Sequence, residues 1–286
     1  YFICVIFADG HLKCWGDNRY GQLGIGSLED QTSPQIVDLG LGRTAVSISA
    51  GRNNICAILD DGSLKCWGWN SYGQLGIGGV SNQNTPQLVN LGVGRTAVSV
   101  SMGDQHGCAI LDDGNLKCWG YNLYGQLGIG STIDKTIPQP VSLGTGRTAV
   151  SVSSGYYHTC AIADDLSLKC WGYNSQGQLG IGSTITQTIP QLVDFGPGGT
   201  VSSVNVGGSH TCAILYDGSL KCWGGNSQGQ LGIGSFTSQN TPQLVNFGVG
   251  INAVSVSLGN LHSCVILDDN SLKCWGRHYE GQLGNY

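Results

Sequence analysis

The tripeptide Cys-Trp-Gly begins at Cys14, Cys66, Cys118, Cys170, Cys222 and Cys274, and every interval is 52 residues. A constant period of that length means one supersecondary unit stacked on copies of itself. The 286 residues hold 286/52, or 5.5, such periods. The expectation is therefore one continuous array over residues 1–286. Because the chain begins and stops inside a copy, it reads as a segment of a larger protein. Residues shared by all copies should build the fold, which leaves the varying ones free for other work.

Residues 45–96 show what one copy specifies. Ala45-Val46-Ser47-Ile48-Ser49 alternates apolar and small polar residues, as a short strand does. Ile55 to Leu59 reads as a second strand, Asp60-Asp61-Gly62 as a turn, and Ser63 to Trp67 as a third strand. The glycine-rich Gly73-Gln74-Leu75-Gly76-Ile77-Gly78 and a polar loop lead to a fourth, Pro86 to Leu91, with proline at its start. No segment has a helical period. Four short strands per repeat predict an all-β chain, a β-propeller with six blades represented. The first copy lacks its opening strand and the sixth its closing one.

Composition narrows the function. Charged residues are 11% and net charge is −5, yet 40% hydrophobic residues can supply a core, so disorder is excluded. Of 13 Lys and Arg, six are the repeat lysines Lys13, Lys65, Lys117, Lys169, Lys221 and Lys273, and the rest form no stripe or tail. Nucleic-acid binding needs clustered phosphate contacts and is not expected. No run of 18 apolar residues is present to span a membrane.

The 12 cysteines form six pairs ten residues apart: Cys4/Cys14, Cys56/Cys66, Cys108/Cys118, Cys160/Cys170, Cys212/Cys222 and Cys264/Cys274. A three-residue turn ending in a left-handed glycine places Leu59 opposite Ser63, Ile58 opposite Leu64 and Cys56 opposite Cys66. Opposed Cα atoms in antiparallel strands lie about 4.5–5.5 Å apart, within reach of a disulfide. The alternative is six pairs of buried reduced thiols. Zinc is disfavoured, because no second thiol pair or histidine spacing accompanies each pair. Disulfides would place the protein in an oxidising setting, outside the cell or at its surface. No Asn-x-Ser/Thr acceptor for N-glycosylation occurs.

His-Thr-Cys-Ala-Ile followed by Leu-Lys-Cys-Trp-Gly-x-Asn-x-x-Gly-Gln-Leu-Gly, nearly unbroken over 158–182 and 210–234, resembles the regulator-of-chromosome-condensation repeat family. The resemblance covers the whole chain in six registered copies. It implies a propeller, commonly of seven blades closed by strands from both termini. It does not imply one activity, since the family holds an exchange factor for the GTPase Ran, a plant ultraviolet-B photoreceptor and a secreted β-lactamase-inhibitory protein. The cross-strand cysteines resemble those of extracellular or surface repeat proteins of microbes.

Departures from the repeat carry further expectations. Leu166 stands where four copies have Gly, so the fourth hairpin should turn differently, whereas Asn270 in the last tolerates the left-handed region. Phe2 and Asn54 stand where His106, His158, His210 and His262 recur. That recurrence suggests histidines bonded to backbone in each blade rather than a metal ring or a set of bases. Neither a catalytic triad nor a nucleophile elbow is expected. The five Gly-Gln-Leu-Gly-Ile-Gly runs lack the Lys-Ser/Thr ending of a phosphate loop. The Asp-Asp-Gly turns offer too few spaced oxygens for calcium. The six repeat tryptophans should pack between blades with lysine stems along them.

Aromatic residues concentrate at variable loop positions of the second to fourth copies. After Cys-Trp-Gly come Trp69, Tyr121 and Tyr173; three residues on come Tyr20, Tyr72 and Tyr124; before the second strand stand Tyr156 and Tyr157. At exposed loop positions such residues anchor recognition surfaces, and otherwise they cover blade edges. The sequence thus predicts a non-catalytic recognition or structural module, extracellular or surface-borne, without cofactor, metal or small-molecule substrate. Its partner is a protein or a further copy, met through the propeller loops. Alternatives are a secreted enzyme inhibitor and, from the family alone, a nucleotide-exchange factor for a small GTPase.

Overall fold

The computed structural model describes residues 1–284, in which all regular structure is β. The second repeat is a four-stranded antiparallel sheet of Ala45–Ala50, Asn54–Leu59, Leu64–Gly68 and Gln83–Leu88, paired in chain order. Three further sheets of this kind open at Ala97, Ala149 and Val201. Two sheets have three strands. The one at Phe2–Ile6, Leu12–Gly16 and Gln31–Ile36 lacks the first strand of the repeat, and the one at Ala253–Leu258, His262–Leu267 and Leu272–Gly276 lacks the fourth.

The hairpin register is the one the turn chemistry demands. Leu59 N–H donates to Ser63 O at 2.9 Å and Gly62 N–H to Leu59 O at 2.8 Å, which leaves Cys56 opposite Cys66. Gly62 has φ +75°, open to glycine without strain. All six cysteine pairs are disulfides, each with Cα atoms 4.1 Å apart. That short spacing belongs to the narrow, non-hydrogen-bonded class of cross-strand pair.

Two expectations about the strands need correction. The fourth hairpin does not turn differently: Leu166 adopts φ +64° and donates its N–H to Ala163 O at 2.9 Å, as glycine does elsewhere. Strand pairing and the Cys160–Cys170 bridge fix the register, and Leu166 accommodates it at the expense of backbone strain. The fourth strand of the second repeat begins at Gln83, not Pro86. Gly68 pairs with Gln83 and Cys66 with Gln87, so a bulge takes up the extra residues, Pro86 among them, and no ladder amide is demanded of the proline.

Backbone contacts divide the chain into two units, residues 1–123 with 131–141, and residues 124–130 with 142–286. In each, apolar clusters lie between consecutive sheets. Cys56, Leu64, Leu75 and Val89 of one repeat meet Ala97, Leu111 and Trp119 of the next in the first unit. Cys160, Leu168, Leu179 and Val193 meet Val201, Ala213 and Trp223 in the second.

Polar stitches register these layers. The indole N–H of Trp67 and Trp119 donates to the carbonyls of Gln22 and Gln74, 45 residues earlier, and Trp171, Trp223 and Trp275 do the same to Gln126, Gln178 and Gln230. A β-carbon on Gly24 would lie 2.5 Å from Trp67 Nε1, so glycine is what lets the indole reach. The lysine stems do not simply lie along the tryptophans. Lys65, Lys117 and Lys169 cap the carbonyls of Leu39, Leu91 and Leu143, whereas Lys221 and Lys273 sit over the Phe195 and Phe247 rings that replace leucine there.

Candidate functional site

Every loop that carries a variable residue is held by shared ones. Asn70 is fully buried; its Nδ2 donates to Gly79 O and Ser81 O, and its Oδ1 accepts from Leu75 N–H. Gln74 Oε1 accepts the Tyr72 N–H at 2.9 Å. Asn18 and Gln22, Asn122 and Gln126, and Asn174 and Gln178 hold the corresponding loops. A second clamp ties the residue after Cys-Trp-Gly to the loop before the second strand: Trp69 N–H to Asn53 O, Tyr121 N–H to Gln105 O and Tyr173 N–H to Tyr157 O. The variable side chains therefore stand on a fixed backbone.

Each of the eight aromatic residues singled out from the sequence packs against another, and four lie in each unit. In the first unit, Tyr20 and Trp69 have ring centroids 6.0 Å apart, Trp69 and Tyr72 5.6 Å, and Tyr72 and Tyr121 4.8 Å. In the second, Tyr124 lies 4.7 Å from Tyr173 and 5.2 Å from Tyr157, with Tyr156 6.4 Å from Tyr157. The rings meet tilted or edge-on, the geometry aromatic pairs prefer. They are less exposed than loop positions imply: all are half-buried except Tyr156, at 36%. Mutual packing is the reason, and it makes each group a contiguous, semi-rigid strip.

His158 and His210 bond to side-chain hydroxyls, not to backbone. His158 Nε2 lies 2.9 Å from Thr211 Oγ1, and His210 Nε2 lies 2.9 Å from Ser263 Oγ, each 53 residues on. Thr211 and Ser263 donate to the carbonyls of Gln178 and Gln230, so each hydroxyl must accept from the imidazole. Nε2–H to O–H to C=O is the resulting chain. Burial pushes His106 and His210 down to about 3, which keeps both rings neutral. The sequence did hold the signal, a Thr or Ser immediately after each of His158, His210 and His262. At the Asn54–Gly107 junction the hydrogen-bond chain is absent: Asn54 replaces His, Gly107 replaces the hydroxyl residue, and the Asn54 amide is buried without a hydrogen-bond partner among the described residues.

One stretch does have the Gly-x-Ser-x-Gly spacing, Gly225 to Gly229, contrary to the expectation of none. Ser227 there is exposed in the repeat's own turn, and no helix follows it among the described residues. Among those residues no group of three His, Cys, Asp or Glu could hold a metal ion. Among the described residues no helix is long and apolar enough to cross a membrane. The Arg19 guanidinium holds Asp17 down to about 2, and burial pushes Asp104 up.

A model of the RCC1-like domain matches residues 5–286. The chain is 32% identical over 270 residues to the ultraviolet-B receptor UVR8 of Arabidopsis thaliana, spanning 94% of this chain and 61% of that protein. It is 28% identical over 284 residues to the human E3 ubiquitin-protein ligase HERC2, spanning 98% of this chain but 6% of that one. Among solved structures, yeast RCC1 (Prp20) bound to Kap60 superposes with a TM-score of 0.85 at 20% identity, over 99% of this chain and 69% of that one. Human WBSCR16 superposes at 0.80 with 23% identity, over 91% and 68%.

Proposed function

The chain belongs to the RCC1-like domain family, and from that premise we propose that it is a non-catalytic recognition module that binds a protein partner through its aromatic loops. The observation that carries the reading is the pair of packed aromatic strips, at positions that vary between copies, on a backbone that does not vary. Tyr and Trp presented half-exposed on rigid loops lose little entropy on binding, the property of interface anchors. The relatives are named as a receptor and as a ubiquitin ligase, so a shared domain and not a shared chemistry links them. The ligase is matched over only 6% of its length, which supports no transfer of its catalysis to this chain.

The same proposal places the module outside the cell or at a surface, as one domain of a larger protein. Six disulfides favour an oxidising compartment, because cytosolic thiols are kept reduced. The test is capture of partners from secreted and surface fractions by the wild-type chain and by a Tyr72→Ala, Tyr124→Ala variant of unchanged fold. Capture by wild type and its loss in the variant support the reading. Equal capture by both, or acceleration of nucleotide release from a Ran-type GTPase, would replace it.

A further inference from the structure

We propose that Asp104 and the Trp69–Tyr72–Tyr121 strip form a subsite for a cationic side chain, guanidinium or ammonium, of the protein partner. The proposal rests on the recognition role above and specifies what is recognised.

Asp104 is the anomalous carboxylate of the chain. It is 5% exposed, and its Oδ1 is buried without a hydrogen-bond donor among the described residues. The turn aspartates behave otherwise: Asp61, Asp113, Asp165, Asp217 and Asp269 each accept the N–H two residues on. A buried carboxylate left without a donor or counter-charge is unfavourable, and binding a cation removes that cost. Nor is Asp104 part of the scaffold, since the matching positions hold Arg52, Tyr156, Gly208 and Asn260.

Its loop is joined to the aromatic strip, which would supply the rest of a cation site. The Asp104 loop is bonded to the strip by Gln105 O accepting from Tyr121 N–H, and the neighbouring loop by Asn53 O accepting from Trp69 N–H. The two loops touch, for a β-carbon on Gly51 would overlap the Gly103 carbonyl oxygen. Guanidinium and ammonium groups are drawn to Trp and Tyr faces within about 6 Å. Arg52 is the charge that acts on Asp104 from within the chain, yet it is exposed and forms no ion pair with it among the described residues. An incoming cation would take the place that Arg52 does not fill, and the net charge of −5 favours its approach.

Trp69 lies outside the six repeat tryptophans, so its fluorescence reports on the strip. Blocked tri-arginine peptide is titrated into the intact chain, with tri-glutamate as control and Trp69→Phe to assign the signal. A saturable change with tri-arginine only is expected. Asp104→Asn, which keeps the shape and removes a buried charge, should weaken it at least tenfold. Arg52→Ala should tighten it. An Asp104→Asn titration equal to wild type, or an equal response to tri-glutamate, overturns the subsite. If Asp104→Asn loses the tri-arginine response but still captures the partner as wild type does, the claim that this subsite serves the partner is overturned and the recognition reading stands. If wild type captures no partner, the recognition reading itself fails.

Discussion

The tryptophan stitches predict that one substitution has two different costs. Among the described residues Gln74 O accepts a side-chain hydrogen bond from Trp119 Nε1 alone, at 2.9 Å, because Gly107 has no hydroxyl to offer. Gln126 O accepts from Trp171 Nε1 and from Thr159 Oγ1, both at 2.9 Å. Trp119 and Trp171 are both fully buried. Trp119→Phe and Trp171→Phe therefore remove the same ring and open similar space, but only the first strips a buried carbonyl of its donor. Leaving such a group unsatisfied costs about 1–3 kcal/mol, so Trp119→Phe should be the more destabilising by about that amount. The cycle Trp171→Phe, Thr159→Val tests the point within one unit. Either single change leaves Gln126 O one donor, and the double change leaves none. Denaturant unfolding with the disulfides intact, followed by near-ultraviolet circular dichroism, should show the double variant less stable than the sum of the singles by about 1 kcal/mol or more. Additivity within about 0.5 kcal/mol would refute the reasoning, as would equal losses at Trp119 and Trp171.

Leu166 at φ +64° should relax when replaced by asparagine, as Asn270 stands at φ +65° in the last hairpin. Leu166→Asn is expected to gain roughly 0.5–1 kcal/mol, part of the 1–2 kcal/mol that the left-handed region costs a branched side chain, read as a raised denaturation midpoint. The buried histidines make stability depend on pH. His106 and His210 titrate near 3 when folded and near 6.5 when unfolded, so the unfolded chain binds more protons between those values. Stability should be full above pH 6.5 and fall as pH drops toward 3, by about 1.4 kcal/mol per pH unit for each ring. Midpoints at pH 7 and pH 5 measure it, and an unchanged midpoint would contradict the neutral-ring assignment. Each disulfide closes a short hairpin loop, so Cys56→Ala with Cys66→Ala should cost about 2–3 kcal/mol. Intact mass before and after reduction and alkylation should count six bridges.

What the sequence disclosed was whatever its period and turn chemistry determine. The Asp-Asp-Gly turn fixed the hairpin register, and the register fixed Cys56 against Cys66. The eight aromatic residues could be picked out because a repeat supplies its own baseline, against which Trp69 or Tyr156 stands out. Interactions that need the offset between neighbouring repeats stayed hidden. Nothing in Lys65 points to a carbonyl 26 residues back, and nothing in Trp67 to one 45 back. Local propensity also misled at Leu166, where long-range pairing outweighed a preference worth about 1–2 kcal/mol. Asp104 was invisible for another reason. Its loop position reads as exposed, whereas in the fold it is only 5% exposed.

The departures from the repeat are of two physical kinds, and the difference bears on which residues face a partner. Scaffold departures come with compensation across the interface they belong to. Gly107 coincides with Asn54, its partner position one repeat earlier, and Met102 packs into the space beside it, where a β-carbon on Gly107 would meet its sulfur at 2.7 Å. Phe195 and Phe247 bring rings under Lys221 and Lys273 where the leucine copies offer a carbonyl to the lysine. Asn252 takes up the Asp268 carboxylate that arginine engages in earlier copies. The lysine–phenylalanine and Asn252–Asp268 pairs restore a contact inside the repeat array, and Met102 fills space beside Gly107. The aromatic residues restore nothing of that kind, because their loops are already held by Asn and Gln side chains and by backbone bonds in copies with and without an aromatic, as at Gly225. Side chains of that size and half exposure, at positions the fold leaves unconstrained, are what a surface selected for binding would carry.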